Sequence, residues 1–336
     1  MSVAGVIRIC RQHDEARGLR LALLEELRAV VGFDAYSWLL TDPVTEVGCA
    51  PLADVPCLPE LPRLIRLKYL TSLNRWTGLS RPAALLGARR DHSLVWRDML
   101  AGYGVDDVAS MVFRDRFGCW AFLELWRIGP RAPFTDADVD FLTAVAAPVT
   151  EALRRCQART FDAVPAPPDR AGPVVLMLSP ELEVRAQTPE TDRYLRTLVP
   201  PDAERRPVPS GAYNVAAQLL AVEAGVDDHP PWARVHLAGG AWLTLRAARI
   251  GDGPADIAVT IETASPAERT EVFARALGLS AREAELLGHL VAGADTRHIA
   301  ERMFLSEHTV QDHLKSIFAK GGTRNRRTLI ARAAGR

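Results

Sequence analysis

Net charge is the first thing this 336-residue chain lacks: 41 basic residues cancel 41 acidic ones, so the average advertises no polyanionic partner. Cysteine is scarce. The five residues Cys10, Cys49, Cys57, Cys119 and Cys156 form no CxxC pair and leave an odd one over, which fits a reduced, cytoplasmic protein with buried thiols. No apolar run reaches the roughly 18 residues that a membrane-spanning helix needs. The opening MSVAGVIRICRQHDEARG is interrupted by Arg8 and Arg11 and is too short in apolar length for a secretory signal. Motifs of chemistry are missing too: no GxSxG elbow, no GxxxxGK phosphate loop, no HExxH, and no His and Cys at metal-ligand spacing. The sequence is therefore expected to be no enzyme and to hold no cofactor or metal. Asp227–Asp228–His229, ahead of two prolines, reads as a surface turn. A phospho-receiver is set aside because the N-terminal segment lacks alternating strands and helices with an acidic pair after its first strand.

What is present is ordinary globular composition, 48% hydrophobic and 24% charged, over a length that suggests two or three domains. Proline marks the seams. TFDAVPAPPDRAGP (160–173) reads as a linker, and PPDAERRPVP (200–209) as an internal loop. The expected domains are 1–159, 174–264 and 265–336. The first opens with the helix-period stretch ARGLRLALLEELRAVV, ended by Gly32, and continues as strands FDAYSWLLT, ASMVFRD and CWAFLELW. A closing helix follows, with Thr135 as N-cap and Asp138 three residues on. The second reads strand (VVLML), strand (LEVRA), two helical stretches (PETDRYLRTL and GAYNVAAQLLAVEAG), then strands WARVHLA, AWLTLRAARI and DIAVTIE. Both are α+β patterns.

The third domain is legible through capping chemistry. Ser280 with Glu283 forms a capping box, and the stripe Leu286, Leu287, Leu290, Val291 runs to a stop at Gly293. Asp295, Ser306 and Asn325 cap three further helices. On the third helix Val310, Leu314, Ile317 and Phe318 fall on one face, leaving His308, Asp312, Lys315, Ser316 and Ala319 opposite, with Gln311 on the flank. Two short helices with a tight turn, the second polar and low in bulk outside, describe a helix-turn-helix. From His313 to Arg336 there are seven basic residues and no acidic one, a local surface suited to phosphate.

Three family resemblances attach to these residues. LSAREAELL, AGADTRHIA and LSEHTVQDHLKSIFAK, with the arginine-rich turn after them, resemble the LuxR-type DNA-binding domain. The first segment resembles the GAF sensor fold. It has no counterpart of the asparagine–lysine–phenylalanine–aspartate–glutamate set of cyclic-nucleotide GAF domains, which argues against that ligand class. The second resembles a PAS domain through LSPELEVRAQTPETDRYL, but contains no cysteine for flavin-adduct chemistry. The whole resembles actinobacterial LuxR-type regulators with GAF-like and PAS-like sensors ahead of an all-α four-helix DNA-binding domain.

The LuxR resemblance implies that residues 307–320 are the recognition helix and that Gln311, Asp312 and Lys315 approach base edges in the major groove. Gln suits adenine, Lys guanine, and Asp the amino group of cytosine. Gln311 departs from the lysine frequent at that position. Ser306, His308, Thr309, Ser316, Lys320, Arg324 and Arg326 complete the expected DNA-binding set, with Thr309, Lys320, Arg324 and Arg326 on phosphates. The expected partners are double-stranded DNA at paired half-sites and a second copy of the chain, with no membrane.

The input is open between two readings. Strand alternation puts Tyr36 and Trp38 on one face, and Trp120, Glu124 and Trp126 on one face. With Trp96 they describe either an aromatic-lined pocket for a small effector or ordinary core. In the second reading the sensors bind nothing and act as a dimerisation or protein-interaction scaffold.

Overall fold

A computed structural model describes residues 2–162, 174–191, 210–237, 241–251 and 255–335. The linker expected at 160–173 lies outside these residues from 163 onward, as does the proline-rich patch at 200–209. Of PETDRYLRTL only residues 189–191 are described, and they are helical. The chain divides into two compact units. Unit 1 comprises residues 1–153, 171–235 and 244–262, and unit 2 comprises 154–170, 236–243 and 263–336.

Helices α1 (Val3–Gln12) and α2 (Ala16–Val31) open unit 1. The α2 helix starts where the Glu15 carboxylate accepts from the Arg17 and Gly18 N–H groups and stops at Gly32, whose φ of 67° suits glycine. Only Val6 and Cys10 of α1 are buried, too few positions for periodicity to mark it as a helix. Strands β1 (Ala35–Thr41), β2 (Gly48–Asp54), β3 (Ala83–Leu85), β4 (Val105–Asp115) and β5 (Gly118–Ile128) form an antiparallel sheet in the order β2-β1-β5-β4-β3. Helices α3 (Leu61–Leu70) and α4 (Leu94–Asp98) lie over one face, where Leu64, Leu67 and Val95 meet Val108 and Trp126 in one core cluster. The α5 helix (Asp136–Arg159) begins at a reciprocal cap between Thr135 and Asp138.

Strands β6 (Val174–Leu178), β7 (Val184–Gln187), β8 (Trp232–His236), β9 (Trp242–Arg249) and β10 (Ile257–Thr263) form a second sheet in the order β7-β6-β10-β9-β8. Both sheets thus order their strands second-first-fifth-fourth-third. Helix α6 (Ser210–Glu223) leaves this segment to pack against α3 and β2 of the first.

Two buried ion pairs join the segments. The guanidinium of Arg234 grips the Asp42 carboxylate through Nε (2.7 Å) and Nη2 (2.9 Å), and both side chains are wholly buried. Arg75 donates to Asp227 (2.6 Å) and to Gln218 of α6 (2.7 Å). Two separately expected α+β domains are therefore one compact unit.

Unit 2 is helical: α7 (Pro266–Ala276), α8 (Ala281–Val291), α9 (Thr296–Met303), α10 (Glu307–Gly321) and α11 (Arg326–Ala334). Capping boxes start α7 (Ser265 and Glu268) and α8 (Ser280 and Glu283). Asp295, Ser306 and Asn325 cap the others. Phe161 stacks on Trp242 (5.0 Å between centroids) and meets Phe273 edge-on (5.2 Å), while the Arg269 guanidinium sits 4.9 Å over its ring. Arg332 of α11 donates to the Asp162 carboxylate and to the Gly321 carbonyl (2.6 Å), which fixes the last helix.

Candidate functional site

Helices α9 and α10 meet through Ile299, Ala300 and Met303 on one side and Val310, Leu314 and Ile317 on the other, all buried. Phe318 is half-buried. The turn between them reverses at Phe304, which adopts a left-handed conformation (φ 55°) with its side chain almost fully exposed. Ser306 then accepts from the Thr309 N–H (3.1 Å) and contacts the Thr309 hydroxyl (2.8 Å), so both residues are occupied in starting α10. This is helix-turn-helix geometry.

The solvent face of α10 carries one continuous polar row. Asp312 accepts from Lys315 (2.9 Å) and lies 3.5 Å from His308, and Gln311 reaches the Thr296 hydroxyl of α9 at 3.5 Å. The Lys315 bond and charge hold the Asp312 carboxyl below its ordinary pKa. The row presents acceptors and donors of the kind that base edges in a major groove require.

Ser316 and Lys320 face a different partner. Glu283, buried on α8, accepts from the Ser316 hydroxyl (2.6 Å) and from Lys320 (2.6 Å), and from the Ser280 N–H (2.6 Å) in its capping box. Burial alone would raise the Glu283 pKa. Its donors Lys320, Ser316 and Ser280 outweigh that and bring it down to about 2. Glu283 does cap its helix, as its spacing predicts, and it also locks α10 to α8, which the spacing did not reveal. Arg326 donates to the Ala294 carbonyl, whereas Arg324 is exposed beside it. Of the expected DNA-binding set, Ser306, His308, Gln311, Asp312, Lys315, Lys320 and Arg324 lie exposed, and Thr309, Ser316 and Arg326 are half-buried.

Unit 1 holds a cavity of about 220 Å³ between β1, β2, β5, α3 and the start of α6. Its wall includes Glu124 and Trp126 but not Tyr36, Trp38, Trp96 or Trp120. For Tyr36 and Trp38 the β1–β5 register explains this. Ser37 pairs with Glu124 and Trp38 with Leu123, and paired residues share a face, so the Tyr36/Trp38 set and the Glu124/Trp126 set point to opposite sides of the sheet. Trp38 stacks on Phe113 (5.4 Å). The Trp96 indole donates to the Val105 carbonyl (2.8 Å), and that of Trp120 to Asp115 (3.0 Å) at the β4–β5 hairpin. These three aromatics belong to the core.

Within the cavity Glu124 has a partner the sequence did not suggest. Lys68 of α3 donates to its Oε1, and both side chains are largely buried. The period-3.6 run LPRLIRLKYL, with Pro62 in its first turn, is the signal that would have placed Lys68 on a helix. Asn214 and Ser210 of α6 close the other side. The Asp227–Asp228–His229 cluster has ligand atoms close enough for a cation. However, Asp227 already accepts from Arg75 (2.6 Å), Thr77 (2.7 Å) and His229 (2.6 Å). Its chemistry is that of a buried ion pair.

Comparison with known proteins agrees with the geometry of unit 2. Residues 277–333 match the family model of bacterial regulatory proteins, luxR family. No curated protein matches the chain. Among solved structures, the chain is similar to Escherichia coli SdiA in crystal form P6522, at 12% identity and TM-score 0.37, over 97% of this chain and 93% of that one. It is similar to SdiA in complex with octanoyl-rac-glycerol at 12% identity and TM-score 0.33, over 98% and 91%. The bacteriophytochrome RpBphP3 from the photosynthetic bacterium R. palustris is similar at 11% identity and TM-score 0.30, over 76% of this chain and 60% of that one. Among the described residues no helix is long and apolar enough to cross a membrane. The family match and the solvent-facing row on α10 coincide, and residues 277–333 are a luxR-family DNA-binding domain.

Proposed function

We propose that this protein is a non-catalytic, sequence-specific transcription regulator that acts as a homodimer and answers to a small effector held in unit 1. The observation that carries the DNA reading is the outer face of α10. There His308, Gln311, Asp312 and Lys315 stand exposed on a helix whose inner face is locked to α8 and α9. A rigid helix with an adaptable polar face suits the major groove, where Gln pairs with adenine and Lys with guanine. One such helix reads only a few base pairs, so useful specificity calls for two half-sites and two copies of the chain. The cavity walled by β5, α3 and α6 supports the effector reading, because it is concave, mostly apolar and carries few polar groups.

In vitro selection of genomic fragments by the full-length protein tests this. The expected result is a two-fold-related motif, lost or relaxed in Gln311→Ala and Lys315→Ala. Enrichment of an asymmetric single site would remove the homodimer, and equal enrichment in the variants would remove the assigned reading face.

A further inference from the structure

Arg332 of α11 is one of the basic residues of the acid-free C-terminal stretch, yet it is turned inward. Its side chain is 14% exposed, and each nitrogen of its guanidinium has a partner inside unit 2. Nε donates to the Phe161 carbonyl (3.3 Å), Nη2 to the Asp162 carboxylate and Nη1 to the Gly321 carbonyl (2.6 Å). A phosphate contact would have to break these bonds, so Arg332 does not act as the exposed Lys315 and Arg324 can. The two sides of the fork belong to distant parts of the chain. Gly321 is the last residue of α10, at the helix end where a carbonyl lacks a partner within the helix and a cation is favoured. Phe161 and Asp162 follow directly on α5. Phe161 is fully buried between Trp242, Phe273 and Arg269, so the acceptor for Nε is fixed in place. The Asp162 side chain is 46% exposed and also lies 4.0 Å from Arg159.

A guanidinium is planar and its N–H groups point in fixed directions, so residues 161–162 and the end of α10 are tied through one rigid group. On the reading that α10 selects DNA sequences, we infer that Arg332 is a positioning residue for that selection: a latch that makes the setting of α10 depend on the segment directly after α5. Ser306 holds the start of α10, Glu283 holds Ser316 and Lys320, and the latch holds the terminus. A helix fixed at both ends presents Gln311, Asp312 and Lys315 to base edges in one arrangement. With the latch open that arrangement is one of several, and binding to the preferred sequence carries an added ordering cost. The α5 helix begins in unit 1 and its last residues belong to unit 2, so the latch gives that helix a hold on α10.

Each side of the latch is tested in the full-length protein, against a duplex that the wild type enriches from a randomised pool and a scrambled duplex of the same length. The readout is the ratio of the two affinities, which a uniform electrostatic change leaves alone. Asp162→Ala lies outside residues 277–333 and removes a negative charge, so charge by itself predicts equal or tighter binding to both duplexes. The latch predicts weaker binding to the enriched duplex, with the affinity ratio falling about 5-fold. Arg332→Lys keeps the charge but not the fork and should lower the ratio as Arg332→Met does, whereas lysine would serve well enough on a phosphate. Adding Asp162→Ala to Arg332→Met should lower the ratio no further, because both act through one group. Melting curves check that each variant folds, and amide exchange in the last turn of α10 should be faster in all of them. An unchanged ratio in Asp162→Ala, a full ratio in Arg332→Lys, or additive losses in the double variant would overturn the latch. If the wild type enriches no sequence, the reading of α10 as a sequence selector fails on its own count, and unchanged exchange at the end of α10 in Asp162→Ala would overturn the latch as well.

Discussion

Glu283 is the residue on which the DNA-binding domain turns. It is buried, caps α8, and holds Ser316 and Lys320 of α10 from one carboxylate. Removing one partner of such a cluster leaves the others unpaired, so Glu283→Ala is expected to destabilise unit 2 by about 3 kcal/mol. The effect should register as faster hydrogen exchange in α8 and α10 of the full-length protein, with unit 1 unchanged. Its pKa of about 2 lies below the ordinary 4.5 of a glutamate. The folded state therefore binds fewer protons, and the stabilisation is complete above about pH 4.5 and lost as pH falls toward 2. A wild-type domain as stable at pH 3 as at pH 6 would contradict this.

Phe304 makes the opposite case. A left-handed backbone costs a β-carbon-bearing residue roughly 1–2 kcal/mol, less for asparagine, and this side chain, 94% exposed, has almost no packing to lose. Phe304→Asn is expected to stabilise unit 2 by about 0.5–1 kcal/mol in thermal unfolding. A loss of stability would show that the ring has a partner in solution.

At the scale of the element, α10 separates reading from folding. Gln311 and Lys315 are exposed, so alanine there should change stability by less than about 0.5 kcal/mol while lowering DNA affinity several-fold, at about 1–3 kcal/mol per specific base contact. Leu314→Ala should do the reverse, costing about 2–5 kcal/mol of stability at a fully packed position. Paired DNA-binding and denaturation curves check both. The same helix shows what a sequence discloses. Its start, its inner face and its outer row follow from local spacing, because caps and a 3.6-residue period act within one helix. That Ser316 and Lys320 turn to Glu283 is a contact across more than 30 positions, and no local rule contains it. The cavity was hidden for the same reason. Alternation sorts Trp38 from Leu39 and Glu124 from Leu125 within each strand, but only the β1–β5 register says which sets share a side. Asn214 was less visible still, since its helix reads as part of the second segment and yet lines a cavity of the first.

At the scale of the molecule, two segments that look like independent domains are held in one unit by buried ion pairs. The Arg75–Asp227 pair, 2% exposed on each side, also engages Gln218, Thr77 and His229. Burial alone would raise the Asp227 pKa, but hydrogen bonds from His229 and Thr77 and the charge of Arg75 depress it well below the ordinary aspartate value of 3.8. His229 moves the other way, raised above 6.5 chiefly by its bond to Asp227. The Asp227 contribution is therefore lost as pH falls below 3.8, and the His229 contribution is complete below 6.5 and lost as pH rises through its elevated pKa. Unit 1 should be most stable between these limits, and its melting temperature should decline on both sides. Arg75→Ala leaves Asp227 buried without its cation and is expected to cost about 3–5 kcal/mol, with α6 and the second sheet losing exchange protection first. An Arg75→Ala protein that still melts cooperatively at the wild-type temperature would mean that apolar contacts between α3 and α6, rather than the ion pair, keep the segments together.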